Sequence, residues 1–169
     1  AFFVRVAILE ALNAELCEAV TADPDAARYL ERVAHESPLV TEDEGRHWLR
    51  LHSMARDFLL GQFDKLPVQE RRACYERAAA WYADHELFQD AARHALAAGN
   101  DEAAVAHVAR CLRDIAREGR LAEAREWIRR LPPQAVARDV HLQITVAWIT
   151  ALGEAASTVP SLIEQISRH

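Results

Sequence analysis

Glycine and proline are scarce in this chain, five and six residues among 169. So few turn-formers exclude a fold built of many short strands and leave little room for long linkers. Cysteine is thin as well. Cys17, Cys74 and Cys111 are odd in number, widely spaced and set on apolar helix faces, and no CxxC pair occurs. Neither a disulfide framework nor a zinc site is supported, so a reducing, cytoplasmic setting is the expectation. No signal peptide is present and no apolar run reaches membrane-spanning length, so no membrane contact is expected. Positive charge is also outweighed: 20 Lys and Arg stand against 26 Asp and Glu, a net charge of −6. That balance argues against a nucleic-acid surface, which works by neutralising phosphates, while leaving room for a local basic patch.

Catalytic motifs are missing too. There is no GxxxxGK loop, no GxGxxG, no GxSxG and no HExxH. The piece therefore has no phosphate-cradling loop of its own, no catalytic residues are assigned, and it is not expected to be an enzyme. His85, His94 and His107 fall on different helical segments without ligand spacing, so no metal site is expected. The acidic run Glu42-Asp43-Glu44 reads as a solvated hairpin tip rather than a cation site.

What remains is helix-forming sequence rich in alanine, leucine, arginine and glutamate, long enough for one ordinary domain or two small ones. Phe2, Phe3, Val6, Leu9 and Leu12 recur at helical spacing over residues 2–12. Asn13 is placed to cap a second helix carrying Leu16, Cys17 and Val20. Asp23-Pro24 is a helix start for a third, with Ala27, Leu30, Val33 and Ala34 on one face and Ser37-Pro38 ending it. Leu39-Val40-Thr41 and Trp48-Leu49-Arg50-Leu51 flank a turn-like Glu42-Asp43-Glu44-Gly45-Arg46, the pattern of a short β-hairpin. Ser53 is then placed to cap a helix running to about Phe63, with Met54, Phe58 and Leu59 as its apolar stripe. Three helices, a hairpin and a helix outline a winged helix over residues 1–66. Its third helix, from Asp23 to Glu36, holds four acids against Arg28 and Arg32. Groove-reading helices bring positive charge, so this wing is not expected to touch DNA.

From residue 67 to 169 the pattern is helix pairs. Cys74, Ala78, Trp81 and Tyr82 stripe one helix, and Phe88, Ala91, Ala92 and Ala95 the next. Ala104, Val108, Cys111, Leu112 and Ile115 stripe a third, and Leu121, Ala124, Ile128 and Leu131 a fourth, stopped by Pro132-Pro133. Val140, Ile144, Ala147, Trp148 and Ala151 mark a fifth. A sixth, after Gly153, carries Val159, Leu162, Ile163 and Ile166. Asp90-Ala91-Ala92-Arg93 aligns with Glu123-Ala124-Arg125-Glu126, and Gly119 with Gly153, a period near 34 residues. That is the signature of tetratricopeptide-like repeats. The apolar last helix implies an array continuing past His169, and the apolar start at Ala1 without a methionine reads as an excised piece. Trp81, Trp127 and Trp148 read as packing residues. Arg125, Arg129 and Arg130, with Arg117 and Arg120 nearby, read as a solvated face, a peptide or effector contact being the sharper alternative.

One residue stands out chemically. His52 lies where an expected strand hands over to an expected helix, a place from which an imidazole points out of a rigid frame.

Several phrases carry a resemblance: FVRVAILEALNAELCEAV, LVTEDEGRHWLRLHSMARDFL, RRACYERAAAWYADHELFQDAARHALAAGNDEAAVAHVA and EGRLAEAREWIRRLP. Ala79-Ala80-Trp81-Tyr82 followed by His94-Ala95-Leu96-Ala97-Ala98-Gly99 is the most specific stretch. Together they resemble large ATP-binding LuxR-type transcriptional regulators, the MalT-like signal-transduction ATPases, over most of the chain and fading after about Leu152. The resemblance implies a regulator with a nucleotide-binding domain, a winged helix, a tetratricopeptide-like superhelix and a C-terminal DNA-binding helix-turn-helix. This chain would cover the second part and the start of the third. It implies ATP or ADP as the cofactor of the parent, with none bound by this piece alone. The implied partners are the chain's own upstream ATPase domain, an inducer or inhibitory protein on the repeats, and further copies in an active homo-oligomer. It also implies that His52 senses the ADP phosphate, in the position of the histidine of a Met-His-Asp motif; here Leu51 and Ser53 flank it, so only the histidine matches the implied role. The rival readings are a repeat scaffold that binds peptides without any ATPase, and a stand-alone winged-helix DNA binder. Outward-facing Phe2, Phe3 and Val4 would point to a missing neighbour; inward-facing ones leave the scaffold standing.

Overall fold

The structure, a computed structural model, describes residues 2–36, 40–43 and 48–152. The tip of the expected hairpin, the Ser37-Pro38 stop and the expected sixth helix lie outside the described residues. The chain forms two compact units, residues 1–99 and 100–169. The change of sequence pattern at residue 67 falls inside the first unit, because the first helix pair packs on the winged helix rather than apart from it.

In the first unit the order is α1 (Phe2–Val6), α2 (Ala14–Thr21), α3 (Ala26–Glu36), β1 (Val40–Asp43), β2 (Trp48–Leu51), α4 (Ser53–Phe63), α5 (Val68–Asp84) and α6 (Phe88–Ala97). The strands pair antiparallel, Val40 opposite Leu51 and Asp43 opposite Trp48. The mainly helical architecture with one two-stranded hairpin is the expected one. One core cluster runs through it, from Phe2, Val6, Leu9, Leu12 and Leu16 to Phe63, Cys74, Ala78, Trp81 and Ala91.

Local chemistry fixes the helix ends. Asn13 Oδ1 accepts from Leu16 N at 2.7 Å and caps α2, as its position predicts. Ala22, in the left-handed region at φ 55°, closes the same helix and donates to Glu18 O. Arg77 of α5 then reaches back, its Nε donating to Val20 O at 2.8 Å, so one guanidinium ties α5 to the end of α2. Arg5 of α1 meets Glu70 of α5 at 2.6 Å in a half-exposed pair.

Three sequence expectations change here. The stretch over 2–12 is not one helix. α1 ends at Val6, and Leu12 instead forms a β-bridge with Leu49, its N–H donating at 2.7 Å and its carbonyl accepting at 2.9 Å. Two ladder hydrogen bonds to a distant strand outweigh a local periodicity that either conformation can satisfy. Secondly, Ser53 does not cap α4: it is the first helical residue, and His52 holds the cap position without a side-chain hydrogen bond. Thirdly, Met54 and Phe58 do not face the core; they are 76% and 67% exposed. The inward row is Arg56, Leu59, Leu60 and Phe63, at the i, i+3, i+4 and i+7 positions of α4. Arg56 lays its stem inward and donates to Leu9 O at 3.3 Å, turning the helix by one position from the expected stripe.

The second unit holds α7 (Asp101–Arg117), α8 (Leu121–Arg130), the short α9 (Pro133–Val136) and a helix through residues 140–152. Gly119 takes φ +79° between α7 and α8, a left-handed stop that costs a side-chain-bearing residue more. Ala104, Val108, Leu112 and Ile115 of α7 are buried, as expected. In the 140–152 helix the expected stripe is reversed. Leu142 and Ile149 are fully buried, while Val140 and Ile144 are 65% and 63% exposed. The helix carries two apolar faces, and only one is covered by described residues.

Candidate functional site

His52 sits between the last residue of β2 and the first of α4, with φ −56° and ψ 138°. Its side chain is exposed. Its carbonyl accepts from Arg56 N at 2.9 Å, the first hydrogen bond of α4, which fixes the backbone from which the imidazole projects. The N–H groups of the first turn have no carbonyl behind them, and no side-chain cap occupies their place. That turn carries no acidic residue, so nothing there cancels the partial positive charge of the helix start. An exposed imidazole beside free backbone donors can hydrogen-bond the oxygens of an anion presented from outside.

The frame beneath is stiff. β2 is held on one edge by β1 and at Leu49 by the bridge to Leu12. Trp48 packs edge-on against Trp81, with centroids 6.3 Å apart. Trp81 also stacks on His85 at 3.7 Å, whose Nδ1 lies 2.7 Å from Trp81 O and whose Nε2 lies 3.5 Å from Glu15. On α4 beyond His52, Met54 and Phe58, one turn apart, are exposed apolar side chains.

His85, His94 and His107 have separate surroundings. His94 is buried between aromatic rings, His85 lies on Trp81, and His107 is on α7 in the second unit. Among the described residues no group of three or more His, Cys, Asp or Glu is placed to hold a metal ion. No helix among them is long and apolar enough to cross a membrane.

The thiols are chemically quiet. Burial pushes Cys17 up to about 12, partly offset by a backbone hydrogen bond at Asn13, and pushes Cys111 up to about 11. Cys74 is raised by burial too, with Arg77 and Arg5 opposing. Since the thiolate is the reactive form, Ellman's reagent at mildly alkaline pH should label none of them in the folded chain and all of them in guanidinium. Rapid labelling of the folded chain would contradict this burial.

The basic stretch of the second unit is largely paired. Arg120 holds Glu118 and Glu123 at 2.7 Å each, and Glu126 takes both Arg129 and Arg130. Arg117, named with that stretch in the sequence, instead lines a groove with Arg113, Ile144, Thr145 and Trp148, and Arg113 carries no mark in the sequence. Their one-turn spacing was visible in the chain. What they face was not, because Val140, Ile144 and Trp148 read from the sequence as the inward stripe of the 140–152 helix.

Residues 1–72 match the MalT winged helix domain family. The chain is 26% identical over 153 residues to serine/threonine-protein kinase PknK of Mycobacterium tuberculosis, and equally to that of Mycobacterium bovis, covering 89% of this chain and 14% of the relative. It is 23% identical over 164 residues to the HTH-type transcriptional regulator AlkS of Alcanivorax borkumensis, covering 96% of this chain and 19% of that protein. The chain thus spans less than a fifth of the curated relatives it matches. No solved structure gives a significant match. The hairpin, the bridge from Leu12 and the flanking helices agree with the match of residues 1–72 to the MalT winged helix domain.

Proposed function

We propose that this segment is the regulatory lever of a nucleotide-dependent transcription regulator, with His52 gripping the phosphate of ADP held by an ATPase domain upstream in the same protein. The observation that carries the reading is the exposed imidazole at the uncapped start of α4. A donor imidazole and the helix N-terminus both favour a diphosphate, so they favour the closed, ADP-bound state over the open one. The exposed Met54 and Phe58 of the same helix supply apolar area for the ATPase domain to rest on. The segment itself does no chemistry in this reading, and its helix pairs are the start of a tetratricopeptide-like array that receives an inducer or inhibitory protein. Release of the lever would free the regulator to assemble with further copies.

The test is ADP dissociation from the longer protein that this reading requires. His52→Ala should speed ADP release about tenfold, the loss of one hydrogen bond to a charged group, and should raise basal transcription. Because His52 is exposed, the variant should melt with the parent. If it retains ADP as tightly as the parent, the phosphate role is wrong.

One observation favours the scaffold reading. Phe2 is 8% exposed and packs at 5.0 Å on both Phe3 and Tyr29, so the apolar start is used within the unit. A scaffold would bind its partner identically with and without nucleotide. The DNA-binding reading has less to stand on: Arg28 and Arg32 of α3 both lie over the Tyr29 ring at 5.9 Å, and Arg28 also faces Asp25. Salt-dependent binding of the chain to duplex DNA would revive it.

A further inference from the structure

We propose that the groove between α7 and the 140–152 helix is a docking site for an acidic amphipathic helix of a partner protein. It deepens the reading that the helical pairs receive a protein, but uses neither His52 nor nucleotide.

One wall is apolar. Ile144 and Trp148 line it, 63% and 44% exposed, and Val140, 65% exposed, continues their i, i+4 row one turn earlier, outside the groove itself. At 1.5 Å per residue they form a strip about 12 Å long, the footprint of two turns of a docked helix. The covered side of the same helix is Leu142 and Ile149, so this strip is additional to what the described residues of the unit cover.

The other wall is cationic. Arg113 and Arg117 of α7 are one turn apart and line the same groove, of about 370 Å³, as Ile144 and Trp148. Arg113 has no ion pair with any described residue, and Arg117 lies 3.7 Å from Asp114 in a highly exposed pair, 70% and 68%. Elsewhere in this unit the guanidinium groups of Arg120, Arg129 and Arg130 are held by carboxylates. Thr145 turns its hydroxyl back to His141 O at 3.0 Å, so it offers no donor toward the groove.

An apolar strip beside two exposed cations at helical spacing, one of them only loosely paired, selects the occupant by charge. Its complement is a helix with leucine or phenylalanine at i and i+4 and glutamate or aspartate one flank away, docked as helices dock in apolar grooves. Nucleic acid is disfavoured by the isoleucine and valine of the strip and by the chain's net charge of −6. A small carboxylate would engage the arginines and leave most of the strip uncovered.

The test uses the whole chain and a fluorescein-labelled synthetic amphipathic peptide, leucines on one face and glutamates beside them, followed by anisotropy. The glutamate peptide should bind more tightly than its lysine counterpart and weaken with salt. Arg113→Glu with Arg117→Glu should cost about tenfold in affinity and transfer the preference to the lysine peptide, a swap that mere unfolding cannot produce. Ile144→Ser should weaken both peptides. His52→Ala should change nothing, which separates this result from the nucleotide reading. The proposal is overturned if neither peptide binds, if both bind the parent equally, if octanoate displaces the peptide fully, or if a peptide of residues 153–169 displaces it and claims the groove for the chain's own segment.

Discussion

Phe63→Ala is expected to cost the first unit about 3–5 kcal/mol, the range for removing a buried phenylalanine ring. Phe63 is the last residue of α4 and is 1% exposed. Its ring meets Tyr75 of α5 edge-on at 5.5 Å, and it shares a core with Phe2 and Val6 of α1. Truncation therefore removes apolar contact from three helices at once and leaves a hole that backbone on both sides holds open. A domain of this size is stable by only about 5–15 kcal/mol, so the loss takes a large share of the whole. Each kcal/mol moves the melting midpoint of a domain near 100 residues by about 4–8 °C, which puts the expected drop above 10 °C. Phe63→Leu keeps most of the volume and should fall well short of that. Thermal and urea melts followed by far-ultraviolet circular dichroism read both variants. A midpoint for Phe63→Ala within about 2 °C of the parent would show that α4 is not anchored through this ring.

The same anchor explains what could be read from the chain and what could not. α5 and α7 were legible because their apolar residues form one uninterrupted row, Cys74, Ala78, Trp81 and Tyr82 in one, Ala104, Val108, Leu112 and Ile115 in the other. α4 was legible as a helix but not in its orientation. An arginine is normally counted as outward, yet Arg56 spends its charge on Leu9 O and buries its stem, and Met54 and Phe58 turn to the surface in consequence. The 140–152 helix has apolar residues on two sides, and periodicity alone does not say which side meets a neighbour. Leu12 is a third kind of case: its partner Leu49 is 37 positions away, so no local pattern marks the bridge. The place of His52 was legible because a strand ending at Leu51 and a helix starting at Ser53 leave a single junction residue. Its exposure matches the same reading, an imidazole pointing out of a rigid frame.

Acid should unfold the first unit partly through His94. The ring is 6% exposed, stacks on Tyr82 with centroids 5.2 Å apart, and meets Tyr75 at 5.9 Å. Burial lowers its pKa from 6.5 to about 4, and the positive charges of Arg93 and Arg56 push the same way. In the unfolded chain the imidazole takes a proton near its ordinary value, so between those limits the unfolded state binds more protons than the folded one. The contribution of neutral His94 is thus complete above pH 6.5 and is lost as pH falls toward 4, about 3 kcal/mol across the window. Asp90, on the same helix, opposes this in part: burial raises its pKa, so its protonation favours the folded state as pH falls. His94→Leu isolates the imidazole, because it keeps an apolar side chain in the aromatic slot and removes the titration. Urea midpoints of the parent should fall steadily from pH 7 to pH 4.5, and those of His94→Leu should fall less by about the His94 share. Parallel curves for parent and variant would mean that the imidazole takes its proton in the folded chain without cost, and that the aromatic slot around it opens to water.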